Sequence, residues 1–183
     1  RRFAPYLYLL TLLFTALVFV PGIGFHAGGA TRWINLGFTT VQPAEFLKIG
    51  FVLALAGWLA PRAQKLSSIR RGLLPFIALL AVPAGLLLAQ PNTSTAFLLL
   101  ATGAVMYFAA GAPWRDFGIL FIGALLILAA LVIARPYVFD RITTFLNPEA
   151  NSLTTGYQIQ QSLIAIGSGG ILGRGFGQSV EKF

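Results

Sequence analysis

Residues 117 to 134 read FGILFIGALLILAALVIA, a run with no charged or hydrogen-bonding side chain. A helix crossing a hydrocarbon core of about 30 Å needs roughly 20 mostly apolar residues. Four more runs come near that length: Pro5 to Val20, Ala44 to Ala60, Leu73 to Ala89 and Thr95 to Gly111. None alternates as a strand does, and backbone groups in lipid must be satisfied within the segment, so the pattern predicts five transmembrane helices. Pro75 and Pro83 predict a kink in the third. The whole chain agrees, with 57% hydrophobic residues, 10% charged residues and a mean hydropathy of +0.80. A soluble helical core is excluded, because no polar face is left to meet water.

Orientation follows from the cations. Arg1 and Arg2 precede the first run, Arg62, Lys65, Arg70 and Arg71 join the second to the third, and Arg115 joins the fourth to the fifth. The positive-inside rule makes these segments cytoplasmic, which leaves Asn147 to Lys182 outside. The net charge of +8 thereby serves topology and contact with anionic lipid. With no basic aromatic stripe, nucleic-acid binding is excluded. The lack of cysteine rules out disulfides, thiolate metal sites and cysteine catalysis. His26 has no second histidine or carboxylate near it in sequence, so it does not read as a metal ligand. No signal-peptide pattern appears. The two arginines set directly against the first run, and the end at Lys182-Phe183, read as a piece of a longer polytopic protein.

The polar segments carry the chemistry. Between the first two runs lies GGATRWINLGFTTVQPAEFLK, residues 28 to 48. Pro43 suits a first helical turn and Glu45 is favoured by the positive end of the helix dipole. Lys48, three residues on, shares a face with Glu45, which predicts a charge pair. That pair either pins the helix end or leaves Lys48 to meet an anionic ligand. Arg32-Trp33 is either part of an aromatic belt or an arginine fork for phosphate. In QPNTSTA, residues 90 to 96, Pro91 stops one helix and Asn92 to Thr95 offer side-chain caps to the next.

Asn147 to Lys182, NPEANSLTTGYQIQQSLIAIGSGGILGRGFGQSVEK, is too long for a plain connector. Ile159, Leu163 and Ile166 fall on one helical face and Gln158 and Gln161 on a polar side, which predicts a short amphipathic helix in or near the interface. The glycine runs after it permit tight turns and close approach of a ligand, but they lack a phosphate-loop spacing.

Taken together and in order, RWINLGFTTVQPAEFLK, QPNTSTA and the 147 to 183 segment strongly resemble the SEDS family (shape, elongation, division and sporulation), the FtsW, RodA and SpoVE proteins. The resemblance covers essentially the whole chain, and GFGQSVEKF is closer to the division-type FtsW pattern. It implies an all-α polytopic fold of about ten helices, of which residues 1–134 supply five with their connections. Residues 135–183 supply most of the large extracytoplasmic loop, so that 1–183 is a partial transmembrane domain of the bacterial cytoplasmic membrane. It implies polymerisation of lipid II into glycan strands on an undecaprenyl-pyrophosphate carrier, with a class B penicillin-binding protein as partner. A lipid II flippase, or a silent septal scaffold, is the alternative. No cofactor is required with certainty, and a divalent cation is left open.

The resemblance also assigns residues. Arg32, Lys48 and Arg141 match family positions suited to the pyrophosphate and leaving-group charge. Glu45, Asn92 and Gln158 join them as substrate-binding candidates. The family's presumed catalytic Asp falls at Asn151, an amide that cannot act as a general base. Either Glu149 takes over the carboxylate role, or the chain is a weak or inactive paralogue, or the motif is shifted and the base lies elsewhere. The usual Asp of the QPNTSTA motif is likewise Asn92, and its usual Gly is Ser94.

Overall fold

The computed structural model describes residues 2–27, 30–37, 39–134, 136–147, 156–175 and 178. The chain divides into two compact units, Arg1–Phe121 and Ile122–Phe183.

The first unit is built on apolar helices. The helices are α1 (Ala4–Ala16), α2 (Pro43–Leu59), α3 (Leu74–Ala89) and α4 (Thr93–Ala109), followed by the start of α5 (Trp114–Ala134). All five apolar runs are therefore helical. Two helices, Ile69–Ala89 and Trp114–Ala134, are long and apolar enough to cross a membrane, while Ala4–Phe19 and Thr93–Ala109 are apolar and shorter. Leu47, Phe51 and Leu55 of α2 recur at helical spacing, and pack with Phe76, Leu80 and Leu87 of α3 and Leu99 and Tyr107 of α4 into one buried cluster. Close approach is set by small residues. A β-carbon at Gly50 of α2 would run into the Thr11 side chain of α1, and one at Gly103 of α4 would sit 3.0 Å from Leu80 and 3.1 Å from Phe51. Between helices in lipid such contact replaces the hydrophobic effect as the source of attraction.

Pro75 is the second residue of α3, which continues directly from a π-helical turn over Ile69–Leu73. Pro83 lies inside α3, which continues through it to Ala89. It leaves the carbonyl of Leu79, four residues back, without its helical amide. The hydroxyl of Tyr8 on α1 donates to that oxygen at 2.8 Å. A polar stripe extends along α1: Thr11 donates to the Tyr8 carbonyl at 3.0 Å and Thr15 to that of Thr11 at 2.7 Å.

The all-α expectation needs one correction. The stretch between α1 and α2 holds a three-stranded antiparallel sheet, β1 (Gly24–Ala27), β2 (Ala30–Asn35) and β3 (Thr40–Val41), in the order β1-β2-β3. Gly24 pairs with Ile34 and Phe25 with Trp33, then a bulge at Phe25/His26 shifts the register. Ile34 also pairs with Val41. The Asn35 side-chain oxygen accepts from the Gly37 amide at 2.8 Å and shapes the turn into β3. Strands this short and bulged have little alternation to read, and depend on pairing for their existence.

In the second unit, α5 runs on to Ala134 with its apolar stretch exposed along its length. The segment after it, expected as open loop, contains α6 (Pro136–Leu146), with Pro136 at its start. The expected amphipathic helix is α7 (Tyr157–Gly169). Its apolar residues Leu163, Ile164 and Ile166 are exposed. Arg174 donates from Nε to the Ser168 carbonyl at 3.2 Å and folds the following glycine-rich segment back onto α7.

Candidate functional site

At one end of the first unit, the sheet, the start of α2 and the α3–α4 turn come together. Pro43 begins α2, Glu45 lies in its first turn, and Glu45 Oε2 is 2.8 Å from Lys48 Nζ. The predicted pair is formed. Its Glu45 side chain is 55% exposed and that of Lys48 31%, so solvent screens the pair and it adds little stability. Lys48 thus stands near the start of α2, partly exposed and paired with Glu45.

Arg32, on β2, reaches the α3–α4 turn. Its Nε donates to the Gln90 carbonyl at 3.4 Å and its Nη2 to the Pro91 carbonyl. The guanidinium is therefore held by two orphan carbonyls at the end of α3, which aims it at the QPNTSTA turn. Gln90, which the sequence reading passed over, is 2% exposed, and its Nε2 donates to the Thr15 carbonyl at 2.8 Å. One glutamine thus ties this turn to α1 while Arg32 ties it to the sheet.

Asn92 departs from its expected role. It occupies the position before α4, but its side chain makes no capping bond. Its backbone, at φ −102° and ψ 60°, is outside the extended geometry in which a capping side chain reaches back to the helix amides. Asn92 is 5% exposed and its Nδ2 has no partner among the described residues; Gln90 Oε1 is in the same state. A buried donor or acceptor left unpaired costs about 1–3 kcal/mol. The turn therefore holds one buried amide donor and one buried amide acceptor whose hydrogen bonds are unmet among the described residues.

Four other assigned residues lie in the second unit's span of sequence. Arg141 is on α6 and exposed. Gln158 is in the first turn of α7. Glu149 and Asn151 lie outside the described residues. Among the described residues no three His, Asp or Glu side chains cluster as metal ligands.

The far end of α4 holds a group the sequence reading missed. Asp116, in the first turn of α5, is fully buried. Its Oδ2 accepts from the Tyr107 hydroxyl at 2.8 Å, and its Oδ1 from Arg115 Nε and Nη2, both at 3.2 Å. A carboxylate beside an arginine at the head of the most apolar helix was the available signal, since ionisable groups at such positions are costly unless paired.

The family model described as cell cycle protein, FtsW/RodA/SpoVE, matches residues 1–183. Stage V sporulation protein E of Bacillus subtilis is 36% identical over 183 residues, covering 100% of this chain and 50% of the relative. The probable peptidoglycan glycosyltransferase FtsW of Halorhodospira halophila is 42% identical over 183 residues, covering 100% of this chain and 46% of its own. Among solved structures, a chain of a peptidoglycan synthase complex that coordinates polymerization and crosslinking aligns with a TM-score of 0.69 and 38% identity. That alignment covers 92% of this chain and 49% of the other. The rod shape determining protein RodA of Thermus thermophilus aligns at a TM-score of 0.56 and 38% identity, over 68% of this chain and 40% of its own. The chain spans about half the length of the curated relatives it matches. It belongs to the FtsW/RodA/SpoVE family of polytopic membrane proteins.

Proposed function

We propose that the full-length protein is a peptidoglycan glycosyltransferase that polymerises lipid II into glycan strands at the outer face of the cytoplasmic membrane. The observation that carries this reading is the collinear match of the whole chain to relatives named as such enzymes. In this reading the five apolar helices all span, the basic Arg62 to Arg71 loop is cytoplasmic, and residues 135–183 form an extracytoplasmic loop with α7 at the interface. Arg32 and Lys48 hold the pyrophosphate charge, Glu45 orients Lys48, and Gln90 Oε1 and Asn92 Nδ2, unpaired among the described residues, meet polar groups of the substrate. Arg141 and Gln158 add contacts from the outer loop. Glu149 serves as the base that Asn151 cannot be, taking a proton from the acceptor sugar hydroxyl as it displaces the undecaprenyl pyrophosphate. A class B penicillin-binding protein is the partner that cross-links the product, in keeping with the synthase complex among the structural neighbours.

Incubating the full-length protein and its partner with labelled lipid II tests the reading. Glycan polymer on a gel is the expected result, and its absence with well-folded protein counts against it. A second reading, a silent scaffold that recruits the transpeptidase, is favoured by Asn151 standing where the family has Asp. Partner co-purification without polymer would select it. Movement of lipid II across proteoliposomes without polymer would instead select the flippase.

A further inference from the structure

The end of the bundle that carries the basic loop is closed by a buried charge. Of the described carboxylates Asp116 is the one that is fully buried, and its two oxygens are divided between two partners from different elements, Tyr107 and Arg115. Tyr107 is itself fully buried and stacks on Phe76 of α3, with ring centroids 4.3 Å apart and an interplanar angle of 14°. Arg115 is half exposed, and the Nη2 that holds Asp116 also donates to the Ser67 carbonyl at 3.1 Å. The neighbouring carbonyl of Leu66 lies 3.5 Å from the Tyr107 hydroxyl, and the Leu66 side chain is fully buried. The two partners of Asp116 thus meet adjacent residues of the α2–α3 loop.

That loop has reasons to spring open. It carries Arg62, Lys65, Arg70 and Arg71 and has no carboxylate of its own. Arg62 is held aside, over the Trp58 ring at 5.0 Å and bonded to the Trp58 carbonyl at 2.9 Å. Arg115 adds a further cation beside it, and Asp116 is the carboxylate that faces this set.

We propose that Asp116 is the hub of a clamp that holds the α2–α3 loop against the α4–α5 turn, a conformational device that keeps this end of the bundle shut. Arg115 bridges hub and loop, and Tyr107 anchors the hub to α3 and α4. The clamp has a signature that ordinary packing lacks. Removing Arg115 alone leaves a buried carboxylate without its counter-charge, whereas neutralising Asp116 at the same time removes that penalty.

The loop offers tryptic sites at Arg62, Lys65, Arg70 and Arg71, so limited proteolysis of the full-length protein in nanodiscs reads its opening. Cleavage of a locally open segment tracks the population of the open form. Losing a hydrogen bond to a charged group is expected to raise that population roughly ten- to a hundredfold. Asp116→Ala and Tyr107→Phe should each speed cleavage within residues 62–71 by that factor while helical content stays constant. Arg115→Gln should do the same, and adding Asp116→Asn to it should restore part of the protection. Should Asp116→Ala fail to fold, Tyr107→Phe decides alone, because it keeps the ring on Phe76 and removes only the hydroxyl. Unchanged cleavage in Tyr107→Phe, or simple addition of the Arg115→Gln and Asp116→Asn effects, would overturn the clamp.

Discussion

The Tyr8 hydroxyl donates to the carbonyl of Leu79 at 2.8 Å, the oxygen that Pro83 deprives of its helical amide. A proline inside an apolar helix and a tyrosine more than seventy residues away are therefore one device. Without Tyr8, an unpaired carbonyl would face a packed helix interface, where no water is at hand to satisfy it.

The first prediction follows from that pairing. Tyr8→Phe should lower stability by about 1 kcal/mol, measured by denaturant titration in detergent. In a Pro83→Ala background, where the substituted residue supplies the missing amide, the same change should cost much less. Equal costs in both backgrounds would show that the two residues are independent.

A second prediction concerns topology. Single cysteines at Ser67 and Ser152, tested with an impermeant thiol reagent in intact cells, should be protected and labelled respectively. The reverse pattern would invert the orientation drawn from the basic loops.

Lys48→Met keeps most of the apolar stem and removes the ammonium. Because the pair with Glu45 is largely solvated, membrane expression should be unaffected. Polymerisation should fall by roughly a hundredfold, the order expected for one fixed electrostatic contact. Full complementation of a depletion strain by this variant would remove Lys48 from the substrate site, and lost expression would point to a structural role for the pair.

The fourth prediction separates the fates of the missing base. General-base assistance is worth about 10² to 10⁴ in rate. If Glu149 supplies it, Glu149→Gln should lower lipid II polymerisation within that range and Asn151→Gln should matter much less. A chain that has lost its base would instead gain activity from Asn151→Asp and ignore Glu149→Gln.

Legibility in the sequence varied with the range of the interaction. The five helices were plain, since an uninterrupted apolar run such as 117 to 134 leaves the backbone no other way to satisfy itself. The Glu45–Lys48 pair was plain too, being local to one helix turn. The β1–β2–β3 sheet was not, because His26 opposite Thr31 across a bulge is a fact of pairing rather than of pattern. Helix α6 was passed over although Val138, Ile142 and Phe145 keep helical spacing, because Pro136 and the charged Asp140-Arg141 pair resembled loop composition. Asn92 misled in the opposite sense: its residue type suits a cap, but the turn's backbone geometry decides. The surroundings of Asp116 were unreadable, since Tyr107 reaches it, and Leu66 and Ser67 reach its partners, only once the helices have packed.

Gly103 sets how closely α4 can approach its neighbours. A β-carbon there would meet Leu80 at 3.0 Å and Phe51 at 3.1 Å, and Gly103 lies closer along the helix to Tyr107 than to Asn92. At a rise of about 1.5 Å per residue, the arm towards Asn92 is roughly 16 Å and the arm towards Tyr107 roughly 6 Å. A larger residue at Gly103 would therefore wedge α4 off Phe51 and Leu80 at a level from which both the Asn92 turn and the Tyr107 hydroxyl are displaced.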